Sequence, residues 1–236
     1  MLGLMQSQQL LISSLIEFAE RHHGEQQIVS RRCEGDLHRY GYRELAQRSR
    51  QLAQALQRLG VRSGERVATL AWNGHRHLEL YYAVSGSGAV LHTLNPRLHP
   101  DQVAWIINHA EDEVFCFDTT FWPLVQAVAA RCPRVKLWVA LCDADRLPDA
   151  GGKLPNLVSY EAWIGSQGTD YDWPRIDENT ASSMCYTSGT TGNPKAALYS
   201  HRSTVLHAYA AALPDVMCIS ARDSILPVVP DRKSVV

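Results

Sequence analysis

Arg66-Val67-Ala68-Thr69-Leu70 is a short run of strand-favouring, mostly apolar residues entered through the turn Ser63-Gly64-Glu65. Asn73 follows as a candidate N-cap for a helix across residues 75–85, and Gly88-Ala89-Val90-Leu91-His92-Thr93-Leu94 is the next strand. A strand, a helix and a second strand in succession form a βαβ unit, the connection that joins parallel strands. The alternation continues downstream. Asn95-Pro96 marks a turn, Asp101 opens a helix carrying Val103, Ile106 and Ile107, and Val114-Phe115-Cys116-Phe117 is a strand. A helix across residues 124–130 stops before Cys132-Pro133, and residues 136–141 form a further apolar strand. The expected fold class is therefore α/β, with mostly parallel sheet layers flanked by helices.

Upstream, residues 10–23 carry apolar positions at helical spacing, with Gly24 as a stop. A longer helix is predicted from Tyr42 to Leu59. Its stripe is Leu45, Leu52, Leu56 and Leu59, and Gly60 sits where a left-handed residue ends a helix. Residues 143–156 and 165–174 read as surface loops around a short helix at residues 160–164. The sequence shows no internal repeat.

A chain of 236 residues suits one large or two small domains. The 23 basic and 24 acidic residues leave a net charge of -1, which gives no overall attraction to nucleic acid, so no nucleic-acid partner is expected. The six cysteines are scattered without the short gaps of a zinc knuckle or a redox dithiol, which favours reduced thiols in the cytoplasm. The apolar stretch at residues 10–16 is broken by Ser13 and Ser14 and lacks a basic lead, so it does not read as a signal peptide. No apolar run reaches the roughly 20 residues that a transmembrane helix needs.

The chemistry is concentrated after residue 181, where a strand runs into a loop rich in hydroxyls and glycines and out into a second strand. Thr187, Ser188, Thr190 and Thr191 supply hydroxyls, Gly189 and Gly192 let backbone N–H groups approach a ligand closely, and Lys195 adds a compact positive charge. That set of groups suits a polyphosphate, but Ser, Thr, Gly and Pro also fill ordinary turns, and composition leaves both readings open. A Walker A loop is disfavoured, because Pro194 precedes the lysine and Ala196 follows it.

Tyr186-Thr187-Ser188-Gly189-Thr190-Thr191-Gly192-Asn193-Pro194-Lys195 resembles the AMP-binding signature of the adenylate-forming acyl-CoA synthetases. Val67 to Asn73, His77 to Tyr82, Leu91 to Leu98 and Ile107 to Glu111 also resemble the medium- and long-chain fatty acyl branch, near the ligases for 3-methylmercaptopropionate. The resemblance implies a two-step ligase that uses ATP, Mg2+ and coenzyme A. A fatty acid or a methylthio-propionate-type carboxylic acid is first converted to acyl-adenylate and then to acyl-CoA. It implies that Thr187, Ser188, Gly189, Thr190, Thr191 and Gly192 hold the phosphates, that Lys195 offsets their charge as the catalytic cation, and that Thr187 lies nearest the metal. The complete enzyme could be an oligomer.

Two departures stand out. The family usually has glycine after the motif lysine, whereas this chain has Ala196, which is tolerated if the backbone there is extended. After Leu226-Pro227-Val228-Val229-Pro230 the family continues with an aromatic-histidine pair near the substrate, whereas this chain reads Asp231-Arg232-Lys233-Ser234-Val235-Val236. In the family, the adenine pocket, the acidic metal partner, the acyl tunnel and a mobile C-terminal domain follow that point. The expectation is thus an incomplete N-terminal adenylation domain over residues 1–230, without the C-terminal domain. Residues 231–236 would be a non-native tail, since one back-translation of them spells a sequencing-library adapter. The competing expectation is a truncated, non-catalytic module that binds polyphosphate weakly.

Other candidates read as structural. His75 and His77 lie two apart on a helix and face different ways, which disfavours shared metal ligation. His201 is expected to serve a helix start. Trp72, Trp105, Trp122 and Trp138 are expected to pack in the core, and Cys185 to be a small buried thiol.

Overall fold

The chain opens with α1 (Ile12–His23), the hairpin β1 (Gln27–Arg31) and β2 (Leu37–Gly41), and α2 (Tyr42–Leu59). Next come β3 (Arg66–Leu70), α3 (His75–Gly86), β4 (Val90–Thr93), α4 (Pro100–Ala110), β5 (Val114–Phe117), α5 (Trp122–Ala129) and β6 (Leu137–Ala140). The last elements are β7 (Leu157–Ser159), α6 (Tyr160–Gly165), β8 (Ala181–Thr187), β9 (Lys195–Ser200) and α7 (His201–Ala212). These are the elements of a computed structural model that describes residues 1, 3–154, 156–187 and 193–228.

Among the described residues, β3 to β9 form one sheet in the order β7-β6-β5-β3-β4-β8-β9. All neighbouring pairs are parallel except β8 with β9. Alternation along the strands sorts the core into two faces. Val67, Val114, Cys116 and Val139 point to α2 and α3, where they meet Leu52, Leu56, Leu80 and Val84. Ala68, Phe115, Phe117 and Trp138 point the other way, to Val103, Ile106 and Ile107 of α4 and to Val125 and Val128 of α5. Strands covered on both sides have no polar face to show, which is why they read as unbroken apolar runs.

The predicted α2 coincides with the observed helix, and Gly60 adopts φ 88° with its N–H directed at the carbonyls of Leu56 and Gln57. The stripe is narrower than expected. Leu45, Leu52 and Leu56 are buried, but Leu59, in the last turn, is 41% exposed. Gly86 serves close approach, since a Cβ there would meet the Trp173 ring at 2.7 Å.

Several expectations need correction. The N-cap of α3 is the extended backbone of Gly74, without a side-chain cap, and the Asn73 amide instead donates to the Pro227 carbonyl at 3.2 Å. His99 rather than Asp101 caps α4, through a reciprocal arrangement with Gln102. Trp72 is not a core residue. It is 47% exposed, and its indole donates to the Thr120 hydroxyl at 2.9 Å. Trp138 is fully buried, while Trp105 and Trp122 are half-buried. The hairpin β1–β2 and the three-residue β7 have too little apolar alternation to stand out in the sequence.

Beside this core lies a network of buried charge. Arg76 donates to Glu161 (2.8 Å), Glu34 (2.7 Å), Asp143 (2.7 Å) and the Leu141 carbonyl (2.8 Å). Arg48 bridges Glu79 and Glu161, and the Tyr160 hydroxyl donates to Glu79 at 2.6 Å. Next to it, His75 is buried and stacks on His38 with ring centroids 3.9 Å apart. Burial, followed by the neighbouring His38 and Arg76, pushes the His75 imidazole down to about 2.

That depression sets a pH dependence. Below the unfolded value of about 6.5 the unfolded chain binds a proton that folded His75 refuses, so stability falls as pH drops, by about 1.4 kcal/mol per unit. In urea unfolding at pH 7 and pH 5, the unaltered chain should lose about 2 kcal/mol more than His75→Leu does. Equal losses would show that His75 takes up its proton while folded.

Candidate functional site

β8 runs parallel to β4, with Leu91 opposite Ser183, His92 opposite Met184 and Thr93 opposite Cys185. Its last residue, Thr187, therefore stands at the carboxyl edge of the parallel strands, where open α/β sheets place their ligands. The chain returns antiparallel as β9, pairing Cys185 with Ala197, Tyr186 with Ala196 and Thr187 with Lys195. Directly paired residues project from the same face of a sheet. A hydroxyl and an ammonium thus stand side by side at the base of the loop, both exposed.

Ser188, Gly189, Thr190, Thr191 and Gly192 lie outside the described residues. What the structure does fix is the base of their loop. The Thr187 hydroxyl reaches the Lys195 carbonyl at 3.4 Å, a long contact that leaves its oxygen lone pairs free. Among the described residues no carboxylate pairs with Lys195, and no cluster of three or more His, Cys, Asp or Glu side chains is placed to hold a metal ion. The Thr187 hydroxyl is a hard oxygen donor of the kind that could hold magnesium. The loop opens a strand and not a helix, in keeping with the case against a Walker A loop.

The remaining candidates take structural roles. His201 begins α7 at the far end of β9, about 20 Å from Lys195 at strand rise. It is fully buried, and its Nδ1 accepts from the Ile12 N–H at 3.2 Å. Leu10 is tied down nearby, its N–H donating to the Glu178 carboxylate at 2.8 Å. His75 and His77 diverge as expected, His75 onto His38 and His77 to within 3.1 Å of the Thr69 hydroxyl. Cys185 is buried, and burial pushes its thiol up. The six cysteines are all free thiols.

Sequence reasoning gave no role to the residues around Tyr186. Its hydroxyl hydrogen-bonds His109 Nδ1 at 2.7 Å, and the His92 ring lies 5.3 Å away. His92 in turn meets both oxygens of Asp112, at 2.8 and 3.0 Å. A histidine inside an otherwise apolar strand was the available signal, because a buried imidazole needs a partner.

The fold and the loop define a class, and comparison with known proteins agrees with it. The profile of the AMP-binding enzyme family matches residues 15–230, and the chain belongs to that family. It is 51% identical over 230 residues to a medium-chain-fatty-acid–CoA ligase of Ectopseudomonas oleovorans, covering 98% of this chain and 42% of that ligase. It is 52% identical, with the same coverage, to a 3-methylmercaptopropionyl-CoA ligase of Ruegeria lacuscaerulensis. The chain therefore spans less than half the length of these relatives. Among solved structures, a putative long-chain-fatty-acid CoA ligase from Rhodopseudomonas palustris shares the fold, with a TM-score of 0.76 and 21% identity over 94% of this chain and 52% of that one.

Ala196, where the family usually has glycine, lies within β9 opposite Tyr186 and has no positive φ. Alanine is unstrained in that conformation, so Ala196→Gly should leave nucleotide affinity within twofold and lower stability by no more than about 1 kcal/mol. A marked gain in affinity for ATP, measured by titration, would show that alanine strains the loop.

Proposed function

We propose that residues 1–230 are the N-terminal part of an acid-thiol ligase that converts a fatty acid or a short thioether carboxylic acid to its acyl-CoA. The observation that carries this reading is the base of the loop, with Thr187 and Lys195 paired at the carboxyl edge of the sheet. The 51 and 52% identities to acyl-CoA ligases support it.

The chemistry follows from what a carboxylate lacks. Its leaving group would be an oxide, so a thiol cannot displace it directly. Attack of a carboxylate oxygen on the α-phosphorus of ATP breaks the bond to the β-phosphate and releases pyrophosphate. The acyl-adenylate then carries AMP as a good leaving group. The coenzyme A thiol attacks the acyl carbon, sheds its proton to solvent or a base, and expels AMP. In the first step Lys195 would offset the charge on the phosphates, and the hydroxyls and backbone N–H groups of residues 187–192 would hold them in line. Magnesium would supply charge neutralisation among the phosphate oxygens, and the Thr187 hydroxyl would be a ligand to it. A reduced cytoplasmic setting suits the free thiols.

A second reading has its own observation. Leu198 of β9, Leu206 and Tyr209 of α7, and Leu213, Val216, Met217, Ile225, Leu226 and Val228 beyond it are all exposed. In this reading the chain alone is a non-catalytic module whose open edge favours association. Residues 231–236, outside the described residues, would be a foreign tail, and an open frame through Val236 in clean genomic DNA would overturn that assignment.

The test grafts residues 1–230 onto the remainder of the Ectopseudomonas ligase and follows carboxylate-dependent pyrophosphate release. The graft should turn over, whereas residues 1–236 alone should make neither acyl-AMP nor acyl-CoA. Within the graft, Lys195→Ala should lower the rate by about 30- to 1000-fold, as loss of a preorganised charged contact worth roughly 2–4 kcal/mol. A loss of less than threefold would remove Lys195 from the site, and a folded but inactive graft would sink the ligase reading.

A further inference from the structure

Tyr186 is the last residue before the loop, and side chains from two other parts of the fold converge on it. From α4, His109 Nδ1 meets the Tyr186 hydroxyl at 2.7 Å, and the indole of Trp105 stacks on His109 with centroids 4.5 Å apart and planes 19° apart. Trp105 also stands edge-on to the Tyr186 ring, at 6.4 Å and 87°. From β4, the His92 ring lies 5.3 Å from Tyr186. Asp112, which grips His92 through both carboxylate oxygens, sits between α4 and β5, and its own N–H donates to the Ile107 carbonyl at 3.1 Å. The His92–Asp112 pair therefore ties the end of α4 to β4, and α4 carries His109 to Tyr186.

Neither half of this arrangement is explained by stability. His109 is exposed and Tyr186 half-buried, so water could satisfy either group, and a hydrogen bond there contributes little net free energy. His92 and Asp112 are fully buried beside the apolar residues Val90, Ala110 and Met184, and His92 Nε2 has no hydrogen-bond partner among the described residues. A buried polar pair of this kind costs desolvation that an apolar pair would not. What the arrangement does secure is position. The ring of Tyr186 is held on three sides of contact, and Thr187, one residue on, inherits that constraint.

We propose that His92, Asp112 and His109 are positioning residues for the nucleotide, acting through Tyr186 to hold the end of β8 and Thr187 in the geometry that accepts the phosphates of ATP. The inference rests on the ligase reading above. A phosphate site is effective when its donors are fixed before the ligand arrives, and that fixing comes from the residues behind them.

The test uses the grafted ligase, measuring kcat, the KM for ATP, the KM for the carboxylic acid and the melting temperature. Tyr186→Phe and His109→Ala should each raise the KM for ATP about 3- to 10-fold. Combining them should add nothing, since both remove one bond. The acid KM, kcat and melting temperature should hold within twofold or a few degrees, and His109→Gln, which keeps a hydrogen-bonding group, should restore most of the affinity. Because a single change at the buried pair would strand its partner, that half is tested by the double replacement His92→Leu with Asp112→Leu. It should raise the ATP KM while leaving the fold melting normally. Lys195→Ala is the control for the ligase reading. If it impairs turnover while the Tyr186 and His109 variants leave the ATP KM unchanged, the positioning role is wrong. Parallel rises in both KM values with a lower melting temperature would equally reduce these residues to packing. If Lys195→Ala has no effect, the phosphate-loop reading falls first and takes this inference with it.

Discussion

The guanidinium of Arg76, 6% exposed and surrounded by three carboxylates and a carbonyl, is the point through which the surface layers of this fold are joined to its sheet. Its partners come from the hairpin turn (Glu34), the segment after β6 (Asp143 and Leu141) and α6 (Glu161), while the arginine itself belongs to α3. Arg48 repeats the pattern from α2, gripping Glu79 of α3 and Glu161 of α6. An arginine left without its partners in such a place would cost about 3–5 kcal/mol, so each carboxylate constrains the position of its own element. The planar fork of five donors is suited to this, where a lysine would offer one rotating point of charge.

The two faces of the sheet are held differently. Toward α4 and α5 the packing is apolar and aromatic, with Phe115, Phe117 and Trp138 against aliphatic helix residues. Toward α2 and α3 the aliphatic layer gives way to the arginine network and the stacked imidazoles of His38 and His75. The loop emerges where β8 leaves the sheet, beside β4 on one flank and with only β9 on the other. Its base is therefore braced by the parallel core on the Thr187 side and carried by an edge strand on the Lys195 side.

How much of this was legible in the sequence depends on how far apart the interacting residues lie. The parallel strands and α2 were readable because their signals are local: apolar runs four or five residues long, a leucine stripe, and a glycine at the helix end. The segment from Thr187 to Lys195 stands out in the sequence for the same reason, since its hydroxyls, glycines and lysine lie within nine residues. The hairpin β1–β2 was not, because its strands are mostly exposed and carry no periodic apolar face. Trp72 was misread because hydrophobicity alone does not say whether an indole lies under a helix or at the rim of a sheet. Tyr186 and His109 meet across 77 residues, and His92 and Asp112 across 20, distances over which one sequence carries no record of proximity.

The anchoring of α1 has a consequence in time. The Ile12 N–H finds its acceptor on His201, 189 positions later, and Leu10 finds Glu178 across 168. At synthesis rates of about 5–20 residues per second, the amino end of α1 waits roughly 10–40 s before the residue that receives it has been made. The apolar side of α1 need not wait, because Ile16 packs against Tyr40, Leu45 and Ala46, which follow it closely in the chain, so the helix can dock on α2 well before its amino end is tied down.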